Sequence, residues 1–168
     1  GIKVLKPNVQ TSNKKFEVNI ESEIEYGLGA IKGVADAFID HLCSKREKTH
    51  LKDLWDFSKK IDIRLGGKKS LEALSQSGAF DSLAPTRSVA IECTKDMLND
   101  GRQLNGNPNL KSGDLFSEIE ESFDPYEKYK NINELTLSEK LELEKKSLGY
   151  YLSGHPVLAI ENKIKKIR

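Results

Sequence analysis

At 168 residues the chain is long enough for one domain with a real core or for two small ones. Its 27 Lys and Arg face 26 Asp and Glu, a net charge of +1, so the chain as a whole is not a polyelectrolyte binder and any nucleic-acid face must come from local clustering. No run approaches the ~20 apolar residues of a membrane span and no basic-then-apolar leader opens the chain, so the expected compartment is cytoplasmic and reducing, with no membrane partner.

In chain order, Ile2, Val4 and Leu5 form a first apolar run. Phe16, Val18 and Ile20 then alternate, and Glu21-Ser22-Glu23 turns the chain into Ile24 and Tyr26, so residues 16–26 read as a β hairpin. After Val34 the period becomes helical: Phe38, Ile39, Leu42 and Cys43 line one face, with Asp36, Asp40, Lys45 and Arg46 on the other. Cys43 in that stripe reads as buried core, and neither it nor Cys93 has a partner at metal-ligand spacing. Thr49 is placed to cap a second helix carrying Leu51, Leu54, Trp55 and Ser58 inward. A third helix is expected from about Lys68 to Ser77, with Leu71 and Leu74 inside and Gly78 as a left-handed stop. Thr86 then caps a helix carrying Val89, Ala90, Cys93 and Met97, which fades at Asn99-Asp100-Gly101.

Asn105-Gly106-Asn107-Pro108-Asn109 is the clearest linker, since each residue favours turns and none packs. An acidic stretch follows at 112–127, without a base. Thr136-x-x-Glu139 is a capping box opening a charged helix through Leu141, Lys145 and Leu148, and Gly154-His155-Pro156 is expected to close that region. The last eight residues are basic again. Opening at Gly1 and stopping within Ile164-Lys165-Lys166-Ile167-Arg168, the sequence reads as a segment of something longer.

The stretch Gly27 to Ile39 admits three readings. Gly27-x-Gly29-x-x-x-Gly33 is a loosened dinucleotide fingerprint, but that site needs a following parallel strand, and helix after helix follows here. The glycines could merely permit a tight turn and close packing. In the third reading Ile31-Lys32-Gly33-Val34 is the hairpin of a helix-hairpin-helix, whose backbone amides and following helix N-terminus hold a phosphate without reading bases. A second such unit centres on Gly78. Lys59, Lys60, Arg64, Lys68 and Lys69, against Asp62 alone, supply a basic patch at 59–69. The carboxylates show no metal-pair spacing and read as solvated faces; His155 reads as satisfying a turn beside Pro156.

Leu28-Gly29-Ala30-Ile31-Lys32-Gly33-Val34 resembles a segment of the alpha subunit of bacterial DNA polymerase III. Three further blocks follow in that family's order: Ser70 to Leu83 (Ser-Leu-Glu-Ala-Leu-Ser-Gln-Ser-Gly-Ala-Phe-Asp-Ser-Leu), Gly113-Asp114-Leu115-Phe116, and Glu144 to Pro156 (Glu-Lys-Lys-Ser-Leu-Gly-Tyr-Tyr-Leu-Ser-Gly-His-Pro). The opening Gly1-Ile2-Lys3-Val4-Leu5-x-Pro7 also fits, so the resemblance covers nearly the whole chain. It implies a region after the fingers that grips duplex DNA behind the growing end. The parent would be a template-directed nucleotidyltransferase using magnesium. Its metal-holding carboxylates belong to the palm, outside this segment, which is expected to be non-catalytic and to hold no cofactor or metal.

Two departures from the family stand out. Many members have Gly-Val-Gly in the first hairpin, where this chain has Ala35; if that position needed φ > 0, alanine would cost on the order of 1 kcal/mol or more. The family's clamp-binding peptide is of the type Gln-x-x-Leu-Phe, and Ser112 stands here for the glutamine.

The expected fold is mainly α, a tandem helix-hairpin-helix domain preceded by a small N-terminal β hairpin, with Leu42, Leu54, Trp55, Leu71, Leu74, Phe80 and Val89 in the core. The expected segmentation is 1–27 β-rich, 28–104 helix-hairpin-helix, 105–135 linker with clamp-type motif and acidic patch, and 136–168 C-terminal helical segment. The function expected is sequence-independent duplex DNA binding in support of DNA replication, through Ile31, Lys32, Gly33, Val34, Ala35, Lys59, Lys60, Arg64, Lys68, Lys69, Ser77 and Gly78. Ser112, Asp114, Leu115 and Phe116 are the candidate sliding-clamp contacts, and other replicative polymerase subunits are further expected partners. The rivals are a replisome interaction scaffold that touches DNA little, favoured by the acidic stretch, and a helix-hairpin-helix module of a repair enzyme.

Overall fold

The computed structural model describes residues 2–46, 49–94, 96–98, 124 and 126–157. The opening apolar run gives β1 (Val4–Leu5), and the alternating stretch gives β2 (Glu17–Val18), followed by β3 (Ile24–Glu25). β2 and β3 pair antiparallel with Val18 opposite Ile24, so the expected hairpin is present. Its turn is set by Asn19, whose Oδ1 accepts the amides of Glu21 and Glu23. β1 lies parallel to β3 and makes the hairpin a three-stranded sheet of order β1-β3-β2.

The rest is helical. α1 (Asp36–Arg46) buries Phe38, Ile39 and Leu42. Cys43, expected in the same stripe, is only partly buried, because it lies at the edge where the stripe meets solvent. Arg46 turns back from α1 and donates to the carbonyls of Val9, Thr11 and Ser12, which pins the loop after β1. α2 (Leu54–Lys60) is capped by Asp53, whose side chain accepts the Asp56 amide at 2.7 Å, and not by Thr49. With the helix starting there, a spacing of three and four puts Leu54, Phe57 and Ser58 inside and moves Trp55 to the flank. Phe57 therefore occupies the core position expected of Trp55.

α3 (Gly67–Ser77) ends at Gly78 in the left-handed conformation, φ +83°, and α4 (Arg87–Glu92) is capped by Thr86, whose side chain accepts the Val89 amide. α5 (Leu137–Leu148) opens with the Thr136–Glu139 capping box. Its stop is Gly149, φ +91°, five residues before the expected Gly154. His155 does satisfy its turn, with Nδ1 accepting the Val157 amide.

The centre of the core is a chain of edge-to-face rings, Phe38 to Phe57 at 6.4 Å and Phe57 to Phe80 at 5.0 Å. Leu42, Leu54, Leu71, Leu74 and Val89 surround it, all buried. The C-terminal helix is part of this body: α5 packs on α3 and buries Leu141 and Leu148. Residues 126–132, expected to be linker, also pack. The Tyr126 hydroxyl accepts the Leu54 amide and donates to the Leu83 carbonyl, while Tyr129 is buried. The turn-rich run 105–109 lies outside the described residues. None of the described helices is long and apolar enough to cross a membrane.

Candidate nucleic-acid interface

The first turn of interest is built from both sides by close approach. A single 3-10 turn, Leu28–Ala30, stands where a longer first helix would be, and buried Leu28 anchors it. A Cβ on Gly27 would fall 2.5 Å from the Lys15 carbonyl carbon, so only glycine admits the segment that crosses it there. Ile31 then plugs into the core, and Gly33 takes φ +98°. Ala35 lies outside the left-handed region, so the alanine in place of the family's second glycine carries no backbone strain.

The hairpin amides divide into two sets. Lys32 donates its backbone N–H to the Ser147 carbonyl at 2.9 Å, Val34 to Ile31, and Ala35 to Ser70 Oγ at 3.1 Å. Gly33, Asp36 and Ala37 are exposed, and their amides have no partner among the described residues. Three unpaired N–H groups at a tight turn and helix start are what a phosphate oxygen requires. The Asp36 carboxylate stands at the same place and opposes an anion; Lys14 Nζ, 3.5 Å from it and 3.0 Å from Asp40, offsets part of that charge.

A second turn is held beside the first. Ser70, buried at the start of α3, accepts the Ala35 N–H and donates to the Gly66 carbonyl at 2.8 Å. A Cβ on Gly66 would meet the Phe38 ring at 2.7 Å, so glycine lets α3 close on α1. The Lys69 side chain then runs over Gly33: a Cβ there would lie 3.4 Å from Lys69 Cε. Lys32 and Lys69, both exposed and without an ion pair among the described residues, are the cations nearest the open amides.

The rest of the 59–69 patch is less free than its sequence suggests. Lys60 bonds Asp56 at 2.8 Å and also the His50 carbonyl. Arg64 grips Asp62 through two nitrogens, and its hydrogen bonds hold the Asp62 carboxyl below its ordinary pKa. Lys68 lies 3.5 Å from Glu72, leaving Lys59 as the other cation of the patch with no ion pair among the described residues. The Asp62 amide donates to His41 Nε2, so that histidine serves the turn between α2 and α3.

Ser77 and Gly78 do not match the exposed second hairpin expected there. Both are buried; the Ser77 hydroxyl donates to the Leu74 carbonyl, and a Cβ on Gly78 would lie 2.2 Å from an Arg87 nitrogen. The turn packs against the Arg87 guanidinium. Buried Arg87 lies 3.2 Å from buried Glu144 and 2.6 Å from the half-exposed Asp81, and Glu144 also accepts the amides of Leu152 and Ser153. Ser112, Asp114, Leu115 and Phe116 lie outside the described residues. Among the described residues no three His, Cys, Asp or Glu side chains group as metal ligands do.

Sequence reasoning missed Ser70, the Ser147 carbonyl and Gly149, all of which meet the hairpin. The Lys-Lys-Ser run at the start of α3 carried a usable signal for Ser70 alone.

Residues 1–90 match the helix-hairpin-helix motif family. The chain is also similar to proteins named DNA polymerase III subunit alpha. It is 35% identical to that of Pseudomonas fluorescens over 95% of this chain and 15% of the relative. The Pasteurella multocida protein is 36% identical over 94% of this chain and 14% of its own length. The Escherichia coli protein is 32% identical over 94% of this chain and 14% of its own length. The chain thus spans about 15% of the length of the relatives it matches.

Proposed function

This chain belongs to the helix-hairpin-helix motif family and aligns with a segment of DNA polymerase III subunit alpha, and from that premise we propose that it binds the backbone of duplex DNA without regard to sequence. The observation that carries the reading is the set of unpartnered Gly33, Asp36 and Ala37 amides, with Lys32 and Lys69 beside them. Amide and lysine contacts to phosphate fix position and carry no base information. The grip supports template-directed synthesis by a longer cytoplasmic polymerase. Two-metal phosphoryl transfer with magnesium would use carboxylates elsewhere in that protein, and this segment alone is inert. Titration of two duplexes of unrelated sequence, with primer extension run alongside, tests both parts. Equal affinities and no extension are expected; a strong preference for one duplex, or extension, overturns the reading.

A second contact, with the sliding clamp, rests on the apolar pair Leu115-Phe116 after a turn-rich run. Ser112 lacks the paired donor and acceptor of glutamine, so this contact is weak. Clamp binding is lost in Leu115→Ala with Phe116→Ala and gained in Ser112→Gln if the proposal holds. Other replicative polymerase subunits complete the proposed partners.

A further inference from the structure

We propose that the last turn of α5 and the residues after it extend the hairpin into a wider phosphate-backbone surface, with Lys145 and Lys146 as its cations and the Tyr151 ring holding Lys145 in place. This rests on the duplex reading above and adds to it residues outside both the hairpin and the 59–69 patch.

The two elements are joined at the backbone. Lys32 donates its amide to the Ser147 carbonyl at 2.9 Å, and its Nζ lies 3.6 Å from where a Cβ on Gly149 would stand. Lys145 and Lys146 belong to that same turn. Lys145 Nζ sits 5.4 Å from the centre of the exposed Tyr151 ring, a cation–π contact that limits where the ammonium can go without neutralising it.

Charge accounting favours this place. Lys145 and Lys146 are exposed and make no ion pair among the described residues, although Glu142 lies one turn earlier. In the 59–69 patch, by contrast, Lys60, Arg64 and Lys68 each face a carboxylate. Glu144, the acid nearest in sequence, is turned inward and bonded to Arg87, Leu152 and Ser153. A helix C-terminus normally repels an anion through its free carbonyls. Here three of them are occupied, Lys145 by the Gly149 amide, Ser147 by the Lys32 amide and Leu148 by the Tyr26 hydroxyl. The docked hairpin thus quiets the negative end of α5, and the exposed Lys145 and Lys146 stand two residues and one residue before the Ser147 carbonyl that receives the Lys32 amide.

The test is a duplex titration of the 168-residue chain at several salt concentrations. Lys145→Gln with Lys146→Gln is compared with wild type and with Lys52→Ala, an exposed lysine outside the proposed surface. Loss of two phosphate contacts weakens binding about tenfold and makes the salt slope shallower by roughly 1 to 2. Lys52→Ala stays within about twofold of wild type, a difference too small for the loss of a whole phosphate contact. Tyr151→Phe, which keeps the ring, binds as wild type, and Tyr151→Ala weakens binding. If the double variant binds no worse than Lys52→Ala while wild type binds DNA, this inference is overturned and the proposed function stands. If the wild-type chain does not bind duplex at all, both fall.

Discussion

The Ala35 amide donates to the Ser70 hydroxyl at 3.1 Å, and through that one oxygen the first hairpin is tied to the turn before α3. Ser70→Ala leaves a half-buried N–H without its acceptor, a loss of about 0.5–1.5 kcal/mol. The spacing between Gly33 and Lys69 depends on the same bond, so duplex affinity falls as well. Urea unfolding measures the first effect, and faster hydrogen exchange at the Ala35 amide identifies its source.

Much of this region was legible in the sequence, for local reasons. Capping residues and positive-φ glycines act within a few positions, so Thr86, the Thr136–Glu139 box and Gly78 were found where they stand. Errors arose where two signals competed nearby. Asp53 outdid Thr49 as a cap, Phe57 displaced Trp55 from the core, and Gly149 stopped a helix that Gly154 was expected to close. Long-range pairings were not legible at all. Nothing local to Ser147 says that it accepts the Lys32 amide 115 positions away, or that Arg87 and Glu144 meet in the interior. The basic patch misled because the composition of a segment does not show which lysines already face a carboxylate.

Gly67 and Gly78 separate backbone strain from crowding. Both have positive φ, but a Cβ on Gly67 meets nothing within 4 Å, whereas one on Gly78 meets the Arg87 guanidinium at 2.2 Å. Gly67→Ala is expected to cost about 1 kcal/mol, from strain alone. Gly78→Ala adds roughly 1–3 kcal/mol for displacing a packed side chain. Thermal melts of the two variants should differ clearly, with Gly78→Ala the lower.

Acid should destabilise the fold through two carboxylates. Burial pushes the Glu134 carboxyl up, but Lys140 and the amides of Leu135, Arg87 and Ser88 outweigh it and bring it down to about 2. Burial acts likewise on Glu144, and the Ser153 hydroxyl and amide, the Leu152 amide and Arg87 again prevail, leaving it below its ordinary value. Both groups bind a proton more readily in the unfolded chain. Their stabilisation is therefore complete above the unfolded value of 4.5 and is lost as pH falls below it, for Glu134 down toward about 2. Melting temperature should drop across that window, and Glu134→Gln should flatten the drop.

If the hairpin around Gly33 holds the duplex backbone, binding must depend on salt through the phosphates it neutralises. Anisotropy titrations of the 168-residue chain on unrelated duplexes should give a log–log slope of about −3, as expected for three or four neutralised phosphates. Lys32→Ala with Lys69→Ala should shallow that slope by about 2, equally on every duplex. A slope near zero for wild type, or a double variant with the wild-type slope and affinity, would contradict the account.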